Sequence, residues 1–103
     1  YDRWHAEQFA HFVKRLDETE DERGSLLDQT QILYGSCCST THNARNLPLA
    51  LLGGSRLGLK HGHYRKYDEA TPFSNVFVGM LNAAGLPTES FADSNGGMPE
   101  IFG

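Results

Sequence analysis

Only two cysteines occur among 103 residues, and they are neighbours, Cys37 and Cys38. A bond between adjacent cysteines closes a strained ring, so no disulfide framework organises this chain and its redox compartment stays open. Long apolar runs are missing too: none approaches the roughly 18 residues that a membrane-spanning helix needs, which predicts no membrane span in this segment. No basic start followed by an apolar stretch reads as a signal peptide. Positive charge is in short supply, with nine Lys and Arg against thirteen Asp and Glu, a formal charge of -4, and one acidic segment at 17–22. A general nucleic-acid binder carries a basic stripe, so this balance argues against nucleic acid as a partner. No internal repeat, G-x-S-x-G elbow, P-loop or C-x-x-C pair occurs.

What is present suits one small globular unit, with 39% hydrophobic and 21% charged residues. The first residue, Tyr1, already stands inside a helical pattern, which leads to the expectation that residues 1–103 are a single domain or a fragment of a longer protein. Trp4, Phe9, Phe12, Val13 and Leu16 fall at helical spacing and predict an amphipathic helix over about 2–20, with Gly24 as its stop. Gln31 to Gly35 reads as a strand, and the apolar run over about 47–52, closed by Gly53-Gly54, as a second strand buried on both faces. Residues 56–67 suggest a hairpin or irregular segment. Thr71-Pro72 predicts a capped helix over 72–84 whose apolar face is Phe73, Val76, Phe77, Met80, Leu81 and Ala84, stopped by Gly85. The tail, 88–103, has Phe91 and Ile101 as expected anchors. The predicted fold class is α/β, a partial helix-covered sheet.

The loop between the two strands, Ser36 to Asn46, concentrates hydroxyls, thiols, His42 and Arg45, and polar loops between buried strands are common places for sites. His42 reads either as a site residue at a sheet edge or as a loop histidine facing water. His61 and His63 form an H-x-H pair, which on a strand puts both rings on one face, as zinc sites require of two ligands. The flanking Lys60, Arg65 and Lys66 would repel a cation and would suit an anionic group, and a solvated hairpin is the plainer reading. Cys37 and Cys38 offer thiols that a nearby histidine would activate, or simply small side chains that pack. Asp93, in FADSNGGMP, is read as a turn residue bonded to local backbone. No catalytic residue is identified.

In order, SLLDQTQILYGS, THNARNLPLALLGG, GLKHGHY and TPFSNVFVGMLNAAGLPTESFADSNG resemble the C-terminal region of a bacterial family named for an HXXSHH motif, domain of unknown function 1552. The resemblance runs over essentially the whole chain. That family is similar in turn to the alkaline phosphatase and sulfatase superfamily, which implies the C-terminal piece of a three-layer fold. It also implies a metal-dependent phosphate- or sulfate-ester hydrolase in the full-length parent and a periplasmic or secreted location. By this resemblance His42, ahead of LPLALLGG, is the candidate metal ligand, for zinc, calcium or manganese without distinction. Arg45, His61 and His63 would then bind the anionic small-molecule ester.

The strand ending at Gly35 is followed by Ser36-Cys37-Cys38, where the superfamily has an Asp-containing pair, and the HXXSHH motif is not among these residues. The missing Asp-containing pair supports an alternative of another class, a non-catalytic extracytoplasmic binding or assembly module that keeps the fold, whereas the motif would lie upstream in a full-length parent. A small sheet with uncovered edges would also favour a homo-oligomer through an edge strand.

Overall fold

A computed structural model describes residues 1–36 and 47–102, and shows a mixed α/β chain with helices and two small antiparallel sheets. Among the described residues no helix is long and apolar enough to cross a membrane.

The first helix, α1, spans Asp2–Glu18. Phe9, Val13 and Leu16, spaced along one face, are its half-buried residues, while Trp4 and Phe12 stay exposed beside them. The helix ends at Glu18, six positions before the expected Gly24 stop. Thr19 adopts extended backbone, and its hydroxyl donates to the Arg15 carbonyl at 2.6 Å, taking up an acceptor that the last turn leaves open. The acidic segment then folds into a ribbon, β1 (Glu20–Asp21) against β2 (Gly24–Ser25), turned by the Asp21 carboxylate accepting from the Arg23 N–H at 2.8 Å. A 3-10 turn at Leu27–Gln29 follows.

β3 (Gln31–Gly35) pairs antiparallel with β4 (Leu49–Gly53), with Leu33 opposite Leu51 and Gly35 opposite Leu49. Residues opposite one another share a face, so the hairpin has two different sides. On one, Tyr34 stacks on Phe9 of α1 with ring centroids 4.0 Å apart. On the other, the Gln31 side-chain N–H donates to the Met80 carbonyl at 2.9 Å, and Leu33, Gly35 and Leu49 face Phe73 and Phe77. The expected burial of the second strand on both faces is corrected: Leu49 is 39% exposed and Ala50 is exposed as well. Among the described residues the helices reach only parts of this two-stranded sheet, and Gly35, Leu49 and Ala50 at its far end are exposed.

The second half holds the core. After β4, Gly54 turns at φ 69° into a 3-10 turn, Ser55–Leu57, and Leu59 is buried. Residues 60–67 are irregular, because Gly58 and Gly62 both take φ 91° and interrupt any alternation that a hairpin would need. The next helix, α2, spans Ser74–Ala83. Its start is corrected as well: no side-chain cap bond is made, and the backbone N–H groups of Asn75 and Val76 instead bond the carbonyls of Pro72 and Phe73. At its end Gly85 (φ 87°) donates to the Asn82 carbonyl and Leu86 to the Leu81 carbonyl, a Schellman closure that needs a left-handed residue.

The tail runs back over α2 and ends in the short helix α3 (Pro99–Phe102). Its anchors are Met98, 6% exposed, and Phe102, whose ring lies where a side chain on Gly79 would stand. The expected anchors contribute less: Phe91 is 47% exposed and Ile101 half-buried. Asn75 and Asn95 bind reciprocally, Asn75 Nδ2 donating to Asn95 Oδ1 (3.1 Å) and the Asn95 N–H to Asn75 Oδ1 (3.0 Å). The Ser74 hydroxyl donates to Asp93 at 2.7 Å. Both partners on α2 are buried, which places two polar groups in the core with their bonds made.

Candidate functional site

Of the residues singled out in the sequence, Cys37, Cys38, His42 and Arg45 lie outside the described residues. His61 and His63 are both exposed. The shared-face argument for H-x-H required a strand, and Gly62 at φ 91° removes it. His61 Nε2 lies 2.6 Å from the Gly53 carbonyl oxygen, so this imidazole is turned back to the end of β4. His63, with Arg65, acts on the carboxylate of Glu100 in α3. Among the described residues no three of His, Cys, Asp and Glu gather as a metal ion requires, so these residues do not by themselves fit a metal.

The segment 60–67 is tethered at both ends and exposed between them. The Lys60 N–H donates to the Ile101 carbonyl at 2.7 Å, and the Tyr67 hydroxyl donates to Glu100. Burial, and then the bond to Glu100, push the Tyr67 hydroxyl up to about 12. The same bond, helped by the Glu100 backbone N–H and by the charges of Arg65 and His63, holds the Glu100 carboxyl below its ordinary value. Near neutral pH the pair is therefore a neutral phenol donating to a carboxylate, and it fixes against α3 a loop that carries the cations Lys60, Arg65 and Lys66.

A second feature was not legible as a site in the sequence. Between the Gly35–Leu49 end of the hairpin and α2 lies a groove of about 460 Å³, lined by Leu33, Gly35, Ser36, Leu47, Leu49, Phe73 and Phe77. Phe73 and Phe77 stack along one wall at 5.1 Å, and Phe91 continues the aromatic surface 5.8 Å beyond Phe77. The helical spacing of Phe73 and Phe77 was visible as an apolar face, but nothing local said that half of it would stay exposed.

No family model, no curated protein and no solved structure matches this chain.

Proposed function

We propose that the chain is a binding or assembly module that completes its sheet and its core against a second copy of itself. One observation carries this: among the described residues the buried hydrophobic side chains are Leu59, Val78 and Met98, while Leu49, Phe77 and Phe91 line an open apolar surface beside a two-stranded sheet. A lone two-stranded sheet is marginal in water, and an uncovered strand edge with an apolar groove next to it invites another strand. Antiparallel pairing of β4 with its own copy is self-complementary and closes as a symmetric dimer. Light scattering across a concentration series tests it. A concentration-dependent dimer that is lost when Leu49 and Phe77 are both replaced by Glu supports the reading. A monomer at every concentration, or a dimer that both substitutions leave intact, overturns it.

The resemblance described above supports a second reading, in which a full-length parent hydrolyses a phosphate or sulfate ester with His42 on a divalent metal and Arg45, His61 and His63 near the anion. Its favourable observation is the exposed cationic loop 60–66. If His42→Ala leaves both divalent-metal content and ester hydrolysis unchanged in the parent protein, this reading fails. The extracytoplasmic location belongs with these proposals.

A further inference from the structure

Asn95 is followed by Gly96, and it is the one asparagine of the chain that precedes a glycine. The other four precede Ala44, Leu47, Val76 and Ala83, and a side chain on the following residue hinders attack of its nitrogen on an asparagine where glycine does not. Asn95, Gly96 and Gly97 are exposed and lie outside helix and strand. The Gly96 N–H meets no acceptor among the described residues, and a Cβ built on Gly96 would meet nothing within 4 Å. The Asn95 side chain is by contrast held: its Oδ1 accepts from Asn75 Nδ2 at 3.1 Å, and Asn75 is 4% exposed.

We propose that Asn95 is a self-modifying site, deamidated by the backbone nitrogen of Gly96 with the Asn75 amide polarising the carbonyl under attack. The Gly96 nitrogen forms a bond to Asn95 Cγ, and negative charge develops on Oδ1, where the Asn75 N–H already stands. A buried, preorganised donor at that oxygen stabilises the charge as an oxyanion hole does. The Cγ–Nδ2 bond then breaks, and the side-chain nitrogen leaves as ammonia with the proton given up by Gly96. Water opens the resulting five-membered imide at either carbonyl, yielding aspartate or isoaspartate. The net change is one water taken up and one ammonia released, with no redox step.

The position gives the reaction a structural consequence. Asn95 is half of the reciprocal pair that fastens the tail to α2, and Met98 and Phe102 take their seats just downstream. Isoaspartate inserts a methylene into the main chain between the pair and those seats, which shifts the register of 96–102 against α2. Modification therefore loosens the tail from the only region that has a buried core among the described residues.

Incubation of the folded chain at mildly alkaline pH, followed by cleavage after Lys66 and fragmentation that separates aspartate from isoaspartate, tests the proposal. Asn95 converts before Asn75 and Asn82, which lie on the same peptide. Gly96→Val stops the conversion over the period in which the wild type is half converted; Gly96 is not among the positive-φ glycines and has open space around it, so this variant folds. Asn75→Asp keeps the acceptor for the Asn95 N–H, loses the donor and slows the conversion. Conversion of another asparagine first, an undiminished rate in Gly96→Val, or an undiminished rate in Asn75→Asp overturns it.

Discussion

Residues 1–30 form a helix and a ribbon without burying one residue, whereas 54–98 contains every buried residue described: Gly54, Leu59, Ser74, Asn75, Val78, Gly79 and Met98. Most bonds of the first region are local, apart from the Gly54 N–H donating to the Leu27 carbonyl at 3.0 Å and the Arg56 guanidinium donating to the Arg23 carbonyl. The ion pairs of its helix, Arg3 with Glu7 and Lys14 with Glu18, are exposed pairs one helical turn apart, each worth about 0.2–0.5 kcal/mol. A 17-residue helix is marginal by itself, so α1 depends on Phe9 against Tyr34 and on the half-buried Val13 and Leu16. The second region is held by contacts between distant segments, including two polar pairs that join residues 19 or 20 positions apart. The difference teaches that this molecule has a fastened half and a leaning half, and that local opening starts at α1.

The sharpest way to break that comparison is to remove the same side chain from each half. Leu59→Ala, at a site 6% exposed, is expected to lower stability by about 2–4 kcal/mol, because it leaves a cavity among packed neighbours. Leu16→Ala, on the half-buried face of α1, is expected to cost under about 1 kcal/mol, because less apolar area is returned to water and alanine favours the helix. Urea denaturation of the two variants measures both. Equal losses would mean that the two halves unfold as one tightly coupled core.

How far the sequence foretold this follows from the range of each interaction. The apolar spacing of Phe9, Val13 and Leu16, the Gly85 stop and the apolar runs at 31–35 and about 47–52, the second found as a strand at Leu49–Gly53, are local, and periodicity reads local order. The antiparallel register of those runs depends on partners that periodicity does not name. Asn75, Asp93 and Asn95 each look like ordinary polar residues of helix and turn, and only the returning tail brings them together. Tyr67 and Glu100 stand 33 positions apart and showed no signal at all. Of the candidate site, the strand geometry that would put His61 and His63 on one face is not adopted, since Gly62 takes φ 91°, and His42 and Arg45 lie outside the described residues.

A smaller effect is expected from Gly79→Ala, which tests what fastens the tail. The added methyl falls within the Phe102 ring, so the ring must leave its seat on α2. Overpacking of this kind costs about 1–3 kcal/mol. Here the lower part of that range is expected, since Phe102 sits in a helix of only four residues, which shifts more easily than a long one. Phe102→Ala in the Gly79→Ala background should then cost less than it does alone, which a double-mutant cycle reads directly. Additive losses would show that Phe102 is not what Gly79 accommodates.

The smallest effect is a change of slope with pH, and its sign is fixed by two shifted groups. Glu100 is held below its ordinary 4.5 in the folded chain, so its contribution is present above about that pH and is lost as pH falls further. Tyr67 is raised from 10.0 to about 12, so its contribution is complete below pH 10 and is lost as pH rises toward 12. Both groups sit near the surface, and solvent screens the bond, so the stability involved is small. Tyr67→Phe removes the shared hydrogen bond and is expected to flatten the acid arm of the stability profile and the alkaline arm together. Tyrosinate absorbance provides the independent check, because a component titrating near 12 should vanish in the variant. If only the alkaline arm flattened, Glu100 would owe its low value to Arg65 and His63, and the tether of the cationic loop to α3 would be a charge contact in place of a hydrogen bond.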